Sequence, residues 1–180
     1  MKRLLLDFSV ICLMSPSIVN VSNAADPNFS FASTVAKDNN TGLIWTRNAN
    51  TPGPNICIPN TDKYLLAFSW EEDGIEHYIN CLNTNLYLGF DNWRLATASE
   101  YSVIANYGNG THYEYLNSIG FINVLARAYW SSTRNYFEYA VDMATGKTIL
   151  FYSPDFYNTG GPVWPVRTVV GCAPGSWCAP

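Results

Sequence analysis

Three strand-like pieces bearing tryptophan or arginine constrain this chain most. They are Asp91-Asn92-Trp93-Arg94-Leu95-Ala96-Thr97, Tyr129-Trp130-Ser131-Ser132-Thr133 and the late Val166-Arg167, separated by polar loops. An arginine set between Trp93 and Leu95, or next to Val166, cannot enter a packed strand unless a carboxylate or carbonyl meets its guanidinium. Such pieces therefore predict one compact module with buried, paired arginines. Trp45, Trp93, Arg94, Trp130 and Arg167 are the expected framework residues, and Asp91, Glu100 and Asp142 are the candidate partners of the two arginines.

The start of the chain sets its compartment. Lys2 and Arg3 precede an apolar run from Leu4 to Val21, broken at Asp7 and Pro16, and Ser22-Asn23-Ala24-Ala25 follows. A charged start, an apolar middle and small residues at the end predict a secretory signal over 1–24, cleaved after Ala24. The run is short and interrupted for a spanning helix, which needs about 20 apolar residues. Ile11 before Cys12 is bulky where a lipidation site would have a small residue. No later segment is apolar enough to span a bilayer, so the exported chain is expected in the periplasm, on the cell surface or outside the cell. Without Lys2, Arg3 and Asp7 the formal charge is −5, with no run of Lys or Arg. That balance argues against nucleic acid and anionic lipid as partners.

Cleavage would also remove Cys12 and leave Cys57, Cys81, Cys172 and Cys178, an even number in an exported chain. Four cysteines allow three pairings; Cys57 with Cys81 and Cys172 with Cys178 is the expected one. The second pair would close a small loop around Pro174 and Gly175. Neither pair has the short spacing of a structural zinc site, and His77 and His112 lie elsewhere, so no metal is expected.

The roughly 155 residues that remain fit one domain. We expect a loose lead-in over 25–33, a globule over 34–170 and a tail over 171–180. Thr34–Lys37 and Leu43–Thr46 flank Asp38-Asn39-Asn40-Thr41-Gly42, whose residues tolerate turn geometry, which predicts a β-hairpin. Asn48–Lys63 reads as a surface loop. Ser69-Trp70-Glu71-Glu72 has the form of a capping box, and Ile75, Tyr78, Ile79 and Leu82 follow on one helical face. Thr97-Ala98-Ser99-Glu100 repeats the capping pattern and predicts a helix from Ala98 to about Asn106. Asn109-Gly110 marks a turn, and Tyr115–Val124 a further short helix. Later, Tyr129–Ser132 reads as a strand. Phe137, Tyr139, Val141 and Met143 alternate with Glu138, Ala140 and Asp142, and the chain turns at Ala144–Lys147 and returns over Thr148–Tyr152. Val163–Val170 is the last strand, with Pro165 pointing to an edge or bulge. Two early helices and a late antiparallel meander make an α+β domain.

Five segments then point to a family. Thr41-Gly42-Leu43-Ile44-Trp45 resembles its opening motif, and Trp70 with Cys81-Leu82 its first helix. Gly89-Phe90-Asp91-Asn92-Trp93-Arg94-Leu95-Ala96-Thr97 resembles its GydDWRLPT signature, with Ala96 where proline is usual. Tyr129-Trp130-Ser131-Ser132-Thr133 and Val163-Trp164-Pro165-Val166-Arg167 resemble its two late motifs. In this order they resemble the DUF1566 family, the Legionella collagen-like protein C-terminal domain family, across nearly all of the chain after the leader. The resemblance implies an exported bacterial module, C-type-lectin-like and related to the formylglycine-generating-enzyme fold, of the kind found in surface and adhesin-like proteins. The collagen-like stalk of some members is missing here.

Chemistry is sparse. Ser131 or Ser132 with His77 or His112 would need hydrogen-bond contact to act as nucleophile and base, and no Gly-x-Ser-x-Gly turn flanks either serine. Calcium-dependent sugar binding would need converging oxygens, and neither Glu-Pro-Asn nor Trp-Asn-Asp occurs. Reactive cysteines of the formylglycine-generating type conflict with four cysteines that can pair. We therefore expect no catalysis and no cofactor. Tyrosine and asparagine in loops supply rigid apolar area and adaptable hydrogen bonding, as recognition surfaces do. Tyr107, Asn109, His112, Tyr113, Tyr136, Tyr152, Phe156, Tyr157 and Asn158 are the candidate ligand residues, and a glycan or cell-surface protein the expected partner. Alternatives are a structural subunit of a surface assembly and an enzyme-like member of the same superfamily.

Overall fold

The computed structural model describes residues 28–58, 65, 74–107, 112–135, 138–151 and 160–169. The leader, the Ser69–Glu72 capping box, the Asn109-Gly110 turn, Cys172 and Cys178 lie outside these residues.

The chain is an α+β domain built on two antiparallel sheets. Strands β1 (Phe29–Phe31), β2 (Val35–Asp38), β3 (Ile44–Thr46), β4 (Arg94–Leu95) and β8 (Pro165–Arg167) form a five-stranded sheet in the order β1-β2-β3-β8-β4. Strands β5 (Ala128–Arg134), β6 (Glu138–Asp142) and β7 (Lys147–Phe151) form a three-stranded meander. Helices α1 (Ile75–Thr84), α2 (Ala98–Asn106) and α3 (His112–Ile119) lie between β3 and β5. The helices are thus mid-chain, three among the described residues, and not two early ones, because the first strands are needed to start the five-stranded sheet.

The β2–β3 hairpin pairs Val35 with Thr46 and Ala36 with Trp45. Its turn is held by Asp38, whose Oδ1 accepts from the backbone N–H of Asn40 at 2.9 Å and Thr41 at 3.3 Å, and Gly42 supplies φ of +74°. Phe29–Phe31, within the segment expected as a loose lead-in, is strand β1 paired to β2. Phe29 is buried against Tyr107 and Phe121, with ring centroids at 5.3 and 5.1 Å, and this packing orders the segment.

Helix α1 begins after Gly74, which is extended (φ −87°, ψ 152°) and gives no side-chain cap. The apolar stripe is as expected, with Ile75, Tyr78 and Leu82 buried and Ile79 partly so. Helix α2 spans Ala98–Asn106 and carries the full capping box of Thr97 and Glu100. Helix α3 begins three residues before the predicted Tyr115 and stops at Gly120, where φ is +132°.

Successive side chains alternate between faces, and in β2, β3, β5 and β6 both faces meet a core. In β2 and β3, Ala36 and Trp45 face one core with α2 and α3, while Val35 and Ile44 face a second core with α1. In β5 and β6, Tyr129 and Val141 enter the first core, Trp130 and Ala140 the second. Period-two alternation here divides side chains between two cores instead of between core and water. Pro165, expected at an edge or bulge, opens β8 inside the sheet. It pairs only with Leu95, and pairing with β3 begins one residue later at Val166, so no ladder bond to β3 requires its missing N–H.

The groove between helix α1 and strand β4

The residues of the Trp-Arg-Leu motif are placed by their neighbours. Asn83 on α1 accepts from Trp93 N–H at 2.7 Å and donates to Trp93 C=O at 2.9 Å, replacing a neighbouring strand with one side-chain amide. Trp93 Nε1–H donates to Tyr87 C=O at 2.7 Å, and the ring is buried. These bonds hold β4 alongside α1 and leave an open groove of about 330 Å³ between them. Ile75, Ile79 and Leu95 form its aliphatic floor; Glu76, Asn80, Asn83 and Arg94 form its polar walls.

Arg94 is partly exposed, with 38% of its side chain accessible, where burial was expected. Strand β4 is only two residues long, and the Arg94 side chain leaves the sheet to meet Glu100 in a bidentate pair at 2.8 and 2.7 Å. Of the three candidate carboxylates, Glu100 is the one that pairs. Glu100 also accepts from Thr97 N–H at 2.8 Å. Burial raises its carboxyl pKa, but the bonds from Arg94 and Thr97 outweigh that and hold it below the ordinary value. Asp142 instead holds the β6–β7 turn through Ala144 N–H and Thr145 Oγ1 at 2.8 and 3.0 Å.

Glu76, on the groove wall, meets Arg134 at 3.5 Å, and Arg134 stands opposite Glu138 in the β5–β6 register. Glu138 has one carboxylate oxygen, Oε2, shut from solvent and without a hydrogen bond. Its pKa is raised by burial and by Glu76, and Arg134 offsets this only in part.

Arg167 is buried, 5% exposed. It donates through Nε to the side-chain carbonyl Oδ1 of Asn92 at 2.8 Å, as expected of a buried arginine, and lies 3.7 Å over the Phe90 ring. Burial works against its charge, and Asp91 works for it. Trp45 and Trp130 are buried, the latter donating from Nε1 to Leu65 C=O at 3.2 Å. A Cβ on Gly161 would stand 2.9 Å from that same Nε1, so the approach of this segment to Trp130 requires glycine.

Three of the candidate ligand residues fall among the described residues. Tyr107 OH donates to the Asp38 carboxylate at 3.1 Å and accepts from Asn40 Nδ2 at 3.1 Å, tying α2 to the β2–β3 turn. His112 Nδ1 contacts Ala105 C=O, and its ring lies against Gly146. Tyr113 is half-buried, and its hydroxyl donates to Glu114 at 3.0 Å. Asn109, Tyr136, Tyr152, Phe156, Tyr157 and Asn158 lie outside the described residues. Ser131 is buried and donates to Tyr139 C=O at 2.8 Å. Among the described residues, no cluster of three or more His, Cys, Asp or Glu could hold a metal, and no helix is long and apolar enough to cross a membrane. The groove itself escaped sequence reasoning. Its floor residues Ile75 and Ile79 look like ordinary core positions on a helical stripe, and no local signal marks Asn83 as a clamp.

A disulfide joins Cys57 to Cys81, tying the 48–58 loop to α1. Asn85 Nδ2 lies 3.4 Å from Cys81 Sγ and 3.8 Å from Cys57 Sγ. The segments that resemble family motifs thus occupy defined structural places: the β2–β3 turn, the Trp93 clamp with the α2 cap, β5 and β8. The family model of the Lcl C-terminal domain matches residues 34–167, which takes in all of them. The chain belongs to this family. No curated protein and no solved structure matches it. Within this Lcl C-terminal domain, tryptophan and arginine side chains join the motif segments. Trp45 and Trp164 meet at 5.1 Å, Trp164 donates to Thr46 C=O at 2.8 Å, and Arg94 locks the start of α2.

Proposed function

We propose that this Lcl C-terminal domain is an exported, non-catalytic, C-type-lectin-like binding module that recognises a glycan or protein at the bacterial surface. The observation that carries this reading is the α1–β4 groove. It pairs an aliphatic floor with polar walls, the make-up of ligand sites in which apolar contact supplies affinity and a few polar groups fix orientation. Family membership supports a surface setting for it. Tyr113 on α3, together with Tyr136, Tyr152, Phe156, Tyr157 and Asn158 outside the described residues, is the second set of residues proposed to take part in recognition.

The test is a glycan microarray, run beside capture of surface proteins, using the disulfide-intact protein. Saturable binding weakened by Ile79→Arg in the groove, or by Tyr157→Ala, is the expected result and assigns the residues used. Absence of specific binding in both assays would leave the proposal without support.

A further inference from the structure

We propose that the Cys57–Cys81 disulfide is a reducible latch: in the folded domain a dithiol opens it and frees residues 53–58 as a strap from helix α1. The latch is separate from the groove. Helical periodicity sets Tyr78, Cys81, Leu82 and Asn85 on the side of α1 away from the groove residues Glu76, Ile79, Asn80 and Asn83. It therefore works whatever the groove binds.

The strap is pinned at its ends and tied once between them. Thr51 N–H donates to Val163 C=O at 3.0 Å, Val163 N–H donates to Thr51 Oγ1 at 3.1 Å, and Tyr78 OH donates to Pro52 C=O. The chain up to Pro52 is thus held by the core. Leu65, buried and bonded through its N–H to Gly161 C=O at 3.0 Å, is the next described anchor. From Gly53 to Ile58 the backbone bonds among the described residues are local, Cys57 N–H to Pro54 C=O at 2.9 Å and Ile58 N–H to Asn55 C=O at 3.2 Å. Gly53, with φ of +154°, is the pivot. Ile56 is 77% exposed, so burial rests on Cys57, with Ile58 partly packed on the second core.

The surroundings suit thiol–disulfide exchange. Cys81 is half-buried whereas Cys57 is buried, so an incoming thiolate reaches the Cys81 sulfur. Attack forms an S–S bond to Cys81 Sγ and breaks the bond to Cys57, whose Sγ leaves with the electron pair and takes a proton from water. The second thiol of the reagent, as thiolate, then attacks the first and releases Cys81, which is protonated in turn. The net change is a protein disulfide reduced to two thiols and a dithiol oxidised to its disulfide. Asn85 is placed to help the departing charge. Its Nδ2 donates to Cys81 C=O at 2.8 Å and lies 3.4 Å from Cys81 Sγ and 3.8 Å from Cys57 Sγ. An amide donor beside a sulfur favours the thiolate.

Timed treatment of the disulfide-intact protein with dithiothreitol at neutral pH, without denaturant, followed by alkylation and peptide mapping, tests this. Cys57 and Cys81 should become alkylated while the domain stays folded. Hydrogen exchange read by mass spectrometry should rise over 53–58, with protection at Tyr101, Tyr129 and Trp164 in the first core unchanged. Dithiothreitol should open the disulfide of Asn85→Ala about threefold more slowly than the parent's, and that of Asn85→Asp more slowly still, because a carboxylate there opposes the thiolate. A merely structural Asn85 gives the opposite sign, since loosening the end of α1 speeds attack. Reduction that comes only with loss of protection throughout the domain overturns the proposal, as do variants that react as fast as the parent or faster.

Discussion

Replacing Glu100 probes the join between the Trp-Arg-Leu strand and helix α2. Its carboxylate receives two guanidinium bonds from Arg94 and one backbone bond from Thr97, all between 2.7 and 2.8 Å. The ion pair is partly exposed, which limits it to about 0.5–1 kcal/mol even in bidentate geometry. Loss of the reciprocal half of the capping box adds about 0.5–1 kcal/mol. Glu100→Ala should therefore cost about 1–2 kcal/mol in urea unfolding with the disulfide intact, a Tm lower by about 2–8 °C. Glu100→Gln keeps a bond to Thr97 N–H and should lose about half as much. The pH dependence has a definite sign. Because the folded-state pKa is depressed, the stabilisation is complete well above the ordinary value of 4.5 and is lost as pH falls through the lower folded value. The gap between parent and Glu100→Gln should thus narrow in acid. A gap that is absent at pH 7, or that widens as pH falls, would refute the ion-pair argument.

Other perturbations have equally definite outcomes. Tyr101→Phe removes a hydroxyl that donates to Trp164 C=O at 3.1 Å and accepts from Trp164 N–H at 3.3 Å; stranding both buried groups should cost about 1–3 kcal/mol, checked by calorimetry. Glu138→Gln should raise Tm slightly at neutral pH, because the raised pKa means the folded state disfavours the charge; the advantage should vanish in acid once both states are protonated. Gly53→Ala should destabilise strongly in a urea titration, since φ is +154° and a Cβ would sit 2.8 Å from Leu82 Cδ2 in the second core. Replacing Cys57 and Cys81 together by Ser should cost about 2–4 kcal/mol, given a closed loop of 24 residues.

Much of the local structure was legible because its determinants are neighbours in sequence. Thr97 and Glu100 cap α2 through atoms three residues apart, and Asp38 with Gly42 fixes a hairpin turn without help from elsewhere. The β6–β7 hairpin is equally local, its turn held by Asp142. The stripe of α1 is local too, with Ile75, Tyr78 and Leu82 buried at helical spacing.

The candidate site was hardly legible at all. Ile79 reads the same whether it faces a core or a groove, and Tyr107 reads as a loop tyrosine although its hydroxyl meets Asp38, 69 residues away. Of the two arginines, the one expected to be buried in β4 is partly exposed, while Arg167 is buried between the Asn92 side-chain carbonyl and the Phe90 ring, neither of which a local pattern singles out.

The order of residues alone determined the family, the capped helix α2 and the hairpins. Each depends on short-range geometry or on a motif that survives as a string. Only tertiary structure decided that β8 lies between β3 and β4, that β2, β3, β5 and β6 each feed two cores, and that α1 and β4 stand apart just enough to leave a groove. Those outcomes depend on contacts between residues far apart in the chain, such as the Asn83 amide on Trp93 and Pro165 beside Leu95. A side chain's type does not say which distant neighbour it will meet, and the neighbour decides whether it becomes core, clamp or ligand contact.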